Sequence, residues 1–115
     1  MNLQRARDSY LRYVAIERGL SQNTVAAYTR DIDAYLAWLG ERGITEADRI
    51  TLPEVSAHVQ WQATRAENPL TSSSQSRTLS SIKGFHKFMV EEGIVVDNVT
   101  VDMNPPKLPK RLPKA

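Results

Sequence analysis

The sequence predicts an all-α fold, a bundle of four to five short helices, on three observations. Apolar residues recur at three- and four-residue spacing in four separate segments, the signature of one-sided helices. Each segment is bounded by a helix stop or start signal: Gly19 and Ser21, Gly43 and Thr51, Pro69 and the serines at 72–74, then Gly93. No credible pair of strands shows the period-2 alternation a sheet needs.

The first helix carries Leu3, Ala6, Tyr10, Tyr13 and Val14 on one side and runs to about Arg18, where Gly19 supplies the left-handed stop. Ser21 is the expected cap of the second helix, whose stripe is Val25, Tyr28, Ile32, Tyr35, Leu36 and Leu39, ending at Gly43. On that stripe the rings of Tyr28 and Tyr35 are expected to be mostly buried. Thr51-Leu52-Pro53-Glu54 reads as a capping box with proline in the first turn. The third helix follows to about Ala66, with Leu52, Val55, Val59 and Ala63 inward, and Asn68-Pro69 breaks it. The stretch Ser72-Ser73-Ser74 caps the fourth, with Leu79, Ile82, Phe85 and Met89 as its apolar face. From Ile94 to Asn104 the pattern fits either a short final helix or an extended strap.

With 115 residues and 13.0 kDa the chain is one domain, with ordinary apolar (41%) and charged (24%) content for a globular protein. It has no cysteine, which excludes disulfides and thiolate metal sites. No apolar run approaches a membrane span, and Met1-Asn2-Leu3-Gln4-Arg5 lacks the apolar core of a signal peptide; a cytoplasmic location is expected. The last eleven residues hold four of the six prolines and four basic residues. Proline fixes φ and removes the N–H donor, so this run should be extended. It reads as a linker or as a disordered basic tail. Upstream of it, eleven basic residues face thirteen acidic ones, so the globular part is mildly acidic despite a pI near 9.1. Any nucleic-acid surface must therefore be a local cluster.

One cluster stands out. No acidic residue lies between Glu67 and Glu91, while Arg77, Lys83 and Lys87 do. At 100° per residue, Ser73, Ser76, Arg77, Ser80, Lys83, Gly84 and Lys87 fall opposite the apolar stripe of the fourth helix. A merely solvated face mixes Glu with Lys and favours good helix formers. This one uses Ser and Gly with long cations between, which suits close approach to a phosphate backbone or to base edges. On the second helix Asn23, Ala26, Ala27, Arg30 and Ala34 show a weaker version, and Asn23 and Thr24 sit at its amide-rich N-terminus. The candidate nucleic-acid contacts are thus Asn23, Thr24, Arg30, Ser73, Ser76, Arg77, Ser80, Lys83 and Lys87, with Lys107, Lys110 and Arg111 of the tail as an electrostatic arm. His58 and His86 are isolated and support no metal site. Asp31 and Asp33 read as surface acids, and no nucleophile elbow or phosphate loop is present. The rival reading is a helical protein–protein adaptor with a basic tail.

The run Arg18-Gly19-Leu20-Ser21-Gln22-Asn23-Thr24-Val25-Ala26-Ala27-Tyr28-Thr29-Arg30-Asp31-Ile32 resembles the GLSxNTxxAYxRDL signature of bacterial tyrosine recombinases and phage integrases. Thr71-Ser72-Ser73-Ser74, with Arg77 through Phe88, resembles that family's second core-binding helix, and Glu92-Gly93-Ile94 its usual ending. Pro106 to Lys114 is similar to the interdomain linker of the Xer chromosome-dimer resolvases. Relatives usually place Asn-Pro soon after the Glu-Gly; here Asp97-Asn98-Val99 intervenes and the next proline is Pro105. The resemblance implies a SAM-like core-binding domain at 1–104 and a linker at 105–115, leading to a catalytic domain that holds the arginines, lysine, histidines and nucleophilic tyrosine. It implies a clamp on a double-stranded recombination site, partner recombinase subunits on the DNA, a fragment monomeric off it, and no cofactor. Helix 1 or helix 3 would then offer surface to a neighbouring subunit. It also implies that none of Tyr10, Tyr13, Tyr28 or Tyr35 is the nucleophile and that this chain alone is not an enzyme.

Overall fold

Asn2 opens the first helix of the computed structural model, which describes residues 2–103; the expected linker and its Lys107, Lys110 and Arg111 lie outside the described residues. The Asn2 Oδ1 accepts from the amides of Gln4 (2.7 Å) and Arg5 (3.4 Å), satisfying two orphan donors of α1, Leu3–Ile16. Leu3, Ala6, Tyr10 and Val14 are buried along it. The helix stops two residues before the expected Arg18 because the chain unwinds there: Glu17 and Arg18 both donate to the Tyr13 carbonyl, Leu20 donates to that of Val14, and Gly19 takes φ +62°.

Helix α2, Gln22–Glu41, is capped by Ser21, whose Oγ accepts from the Thr24 amide at 3.2 Å. It buries Ile32, Tyr35, Trp38 and Leu39 and ends before Gly43 at φ +78°. A 3-10 turn, Ala47–Arg49, then buries Ala47 and Ile50; it is too short to leave a periodic signal in the sequence. The Leu3 amide donates to Thr45 at 3.0 Å, tying this connection to the N-terminus.

Helix α3, Leu52–Thr64, starts at the expected box, the Thr51 amide donating to the Glu54 carboxylate at 2.7 Å. Its inward stripe differs from the expected one. Val55, His58 and Gln62 are buried, while Leu52 is 41% exposed and Val59 and Ala63 are only half-buried. The face is turned by roughly one position because two polar residues take core sites that apolar patterning alone assigns elsewhere. Asn68, at φ +51°, makes the break before Pro69, with the Arg65 guanidinium donating to its carbonyl.

Helix α4, Ser72–Glu91, is capped by Thr71 rather than by the serines that follow it. The Thr71 backbone is extended and its Oγ1 accepts from the Ser74 amide at 3.2 Å, which leaves Ser72, Ser73 and Ser74 in the first turn. Leu79, Ile82, Phe85 and Met89 are buried as expected, joined by Phe88 and His86. After Gly93 the chain forms neither a helix nor a strand up to Met103: successive turns lay Ile94, Val95, Val99 and Met103 on the core. Asn98, within the segment that departs from the family pattern, accepts from the Thr100 amide (2.9 Å) and hydroxyl (2.6 Å) and so shapes this strap.

Two aromatic clusters fill the interior. Tyr10 lies 5.4 Å from Phe85 and 5.6 Å from Phe88 between ring centroids, and Tyr13 packs on Phe88 at 5.1 Å. His58 sits among Tyr35 (5.2 Å), Trp38 (5.3 Å) and Trp61 (6.1 Å), and the Tyr35 hydroxyl hydrogen-bonds the Nε2 of His86 at 2.8 Å. Tyr10 and Tyr35 are fully buried; Tyr28, expected to be mostly buried, and Tyr13 are partly covered. Burial pushes the Tyr10 and Tyr35 phenols well above their ordinary range, so both stay protonated.

Two expectations follow from this packing. Burial pushes His58 and His86 down to about 4, from the ordinary 6.5, with Arg42 and Arg65 opposing the charge on His58 further. The unfolded chain therefore takes up protons that the folded one refuses. Stability is full above about pH 6.5 and falls between there and about pH 4, on the order of 3 kcal/mol per histidine at most. Urea unfolding across that range should show the loss, and His58→Phe, which keeps an aromatic ring but removes one of the two titrations, should reduce it by about half. The second concerns Gly84, where an added Cβ would lie 2.5 Å from the Tyr10 hydroxyl oxygen. Gly84→Ala should destabilise by about 1 kcal/mol despite better helix propensity, and become stabilising in a Tyr10→Phe background, where the nearest ring carbon is at an ordinary 3.5 Å. Thermal unfolding of the four proteins measures that sign change.

Candidate nucleic-acid interface

Asp31 organises the proposed face. It was expected on the surface, yet it is 5% exposed, on the side of α2 that meets α4. The signal for this was weak: Asp31 precedes core Ile32, and Thr78 and Ser81 flank the apolar stripe of α4. Arg77 grips the carboxylate with two bonds, Nε to Oδ2 at 3.0 Å and Nη2 to Oδ1 at 2.8 Å. The Thr78 hydroxyl donates to Oδ1 at 3.2 Å, and the Ser81 hydroxyl shares its one proton between Oδ2 at 3.1 Å and the Thr78 carbonyl at 2.9 Å. Four donors therefore surround one buried anion, which is the condition for burying it at tolerable cost. The hydrogen bonds to Asp31 hold the Arg77 guanidinium above its ordinary pKa range, with partial burial working against them. Asp33, two residues on, stays exposed and pairs with Arg7 of α1 at 2.8 and 3.1 Å.

The clamp brings the N-terminal half of α4 against the middle of α2, and with it most of the residues singled out in the sequence. Ser73, Ser80 and Lys87 are exposed along α4, and Ser76, Arg77 and Lys83 are half-buried beside them. On α2, Asn23 and Arg30 are exposed, while Thr24 is half-buried with its Oγ1 accepting from the Ser21 hydroxyl at 3.0 Å. Arg30 and Lys87 have no ion-pair partner among the described residues.

Three members do work the sequence did not disclose. Arg77 spends its Nε–Nη2 edge on Asp31, leaving its Nη1 donors for anything outside; the side chain is 40% exposed. The Lys83 ammonium donates to the Met103 carbonyl and fastens the strap to α4. Gly84 owes its missing side chain to the Tyr10 hydroxyl above it, not to an approaching ligand. Asp31, Thr78 and Ser81 were missed. Among the described residues no group of three or more His, Asp or Glu is placed to hold a metal ion, and no helix is long and apolar enough to cross a membrane.

Residues 8–93 match the family described as phage integrase, N-terminal SAM-like domain. The chain is 36% identical over 107 residues to the tyrosine recombinase XerD of Corynebacterium glutamicum, covering 91% of this chain and 35% of that protein. It is 35% identical over 109 residues to the tyrosine recombinase XerD of Staphylococcus aureus strain Mu50, covering 92% and 35%. The chain thus spans about a third of the length of these curated relatives. No solved structure matches it significantly.

The clamp predicts a stability phenotype for an interface residue. Asp31→Ala leaves the Thr78 hydroxyl and a guanidinium that still reaches water without their partner and should cost about 2–3 kcal/mol; Arg77→Ala leaves the buried carboxylate two donors and should cost about 2–3 kcal/mol. Together they should cost clearly less than the sum. Urea unfolding of the two single mutants and the double mutant checks this. An Arg77→Ala protein of full stability would return Arg77 to a purely external role.

Proposed function

The chain belongs to the phage integrase N-terminal SAM-like domain family, and we propose that it is the DNA-binding domain of a XerD-like site-specific tyrosine recombinase. The observation that carries the reading is the acid-free polar face of α4, locked to α2 through Asp31. The face is rich in small side chains and carries Arg30, Arg77 and Lys87, which suits entry of α2 and α4 into one major groove against its flanking phosphates. In this reading Arg30 and Lys87 neutralise phosphates, Arg77 offers Nη1 outward, and Asn23, Ser73, Ser76 and Ser80 supply short polar contacts. The α2 N-terminus, with Thr24, faces a further phosphate.

Residues 1–104 form the core-binding domain and 105–115 the linker, with Lys107, Lys110 and Arg111 adding sequence-independent attraction. The whole recombinase cleaves and rejoins strands through a catalytic domain outside this chain, resolving chromosome dimers in the cytoplasm with a XerC-like partner and without metal or nucleotide. This chain binds DNA and does not cut it.

Duplex binding should be weak and strongly salt-dependent. Neutralising about four phosphates gives a slope of log K against log salt near −4, at roughly −0.9 per phosphate. Anisotropy titrations of the 115-residue chain with a duplex, from low to moderate salt, measure it. A flat slope, or no binding at low salt, would refute the reading and favour the adaptor.

A further inference from the structure

At the corner where α1 leaves off and α2 begins lies a cleft of about 210 Å³, lined by Tyr10, Tyr13, Arg18, Gly84, Lys87 and Glu91 among others. From its position and chemistry we infer that Arg18 and Lys87 form a seat for one further backbone phosphate of a bound duplex, extending the contact surface from α4 onto the α1–α2 turn. This rests on the DNA-binding reading, since Lys87 belongs to that face and the cleft continues from it.

The argument begins with the turn. Arg18 is held by its own amide, which donates to the Tyr13 carbonyl at 3.1 Å, and by the left-handed Gly19 that follows. Its backbone position is therefore fixed while its side chain remains exposed, with no ion-pair partner among the described residues. Across the cleft, Lys87 is also exposed, one turn from Gly84. Between the two cations the floor is made by Gly84 and the Tyr10 hydroxyl that lies over it, donating to the Ser81 carbonyl at 3.3 Å. The Tyr13 ring, packed on Phe88, makes a rigid wall. Two unpaired cations on fixed backbone positions, about a shallow floor with an aromatic wall, suit a phosphodiester, whose charge meets the cations and whose sugar meets the ring.

Glu91 closes the far side of the cleft, one turn beyond Lys87, and opposes an anion there. It ends the acid-free face and sets how far the backbone can run. The seat thus makes a prediction of opposite sign for two neighbours: removing the Arg18 charge weakens binding, and removing the Glu91 charge strengthens it.

The test uses the 115-residue chain, anisotropy with duplex DNA over a range of salt, and thermal unfolding of every variant. Arg18→Ala should lower the magnitude of the salt slope by about 0.9 and weaken all duplex sequences alike, with the melting temperature unchanged. Arg18→Lys should restore the slope, Glu91→Gln should raise affinity, and Arg49→Ala, on the 3-10 turn, should change neither. Inorganic phosphate, matched to chloride in ionic strength, should displace no more duplex than chloride does. A wild-type slope in Arg18→Ala, beside a salt-dependent wild type, overturns the seat and leaves the wider reading standing. Preferential displacement by inorganic phosphate would make the cleft a free-anion site and overturn the assignment to DNA. A wild-type chain that does not bind at all takes both down.

Discussion

One buried carboxylate fixes the geometry on which the rest of this molecule depends. Asp31 sits between α2 and α4 and receives four hydrogen bonds, two from Arg77 and one each from Thr78 and Ser81. Apolar contacts between crossed helices tolerate rotation and sliding, because many packings bury similar area. A carboxylate that must keep four donors in place tolerates neither, since losing any of them exposes the cost of its dehydration. The polar side of α4 and the outer side of α2 are therefore presented as one surface with fixed spacing. Arg77 acts first as a positioning residue within that surface and only then as something a ligand could touch.

The same economy of polar groups runs through the core. His58 occupies a position that patterning would give to a large hydrophobe, and both its ring nitrogens lack a hydrogen-bond partner among the described residues. It is retained as a neutral aromatic among three rings, with the Arg42 guanidinium 3.5 Å above Trp38 and that of Arg65 5.3 Å above Trp61. His86 is held neutral by burial too, and its Nε2 hydrogen-bonds the Tyr35 hydroxyl. Behind the proposed interface, Tyr10 does double duty, filling the α1–α4 contact and reaching over Gly84 to the Ser81 carbonyl. Ser81 in turn donates to Asp31, so the aromatic core and the clamp share a residue.

Much of the architecture was legible because it rests on local signals. The stripes of α1, α2 and α4, the Ser21 cap, the Thr51–Glu54 box and the glycine stops each express a rule that operates within a few residues. The failures share the opposite cause. Rotation of the α3 face, burial of Asp31 and the true reason for Gly84 are set by partners far along the chain: Tyr35 against His58, Arg77 46 residues after Asp31, and Tyr10 over Gly84. A polar residue on a helix flank carries no local mark of a distant partner. The candidate site was legible as a face, from its missing acids, but not as a mechanism of support. Arg18 was named only as the end of the first helix and the start of the family signature, because no helical projection places it beside the α4 face.

Amide chemical-shift mapping of the labelled chain with a duplex at low salt tests the central claim most directly, because it reads every part of the surface at once. If the face fixed by Asp31 is the interface, the perturbed amides fall on the α1–α2 turn, on α2 up to Arg30, and along α4 from Ser73 to Lys87, while Leu52–Thr64 of α3 stays silent. Perturbations centred on α3 around Trp61, or confined to the residues after Met103, would contradict it.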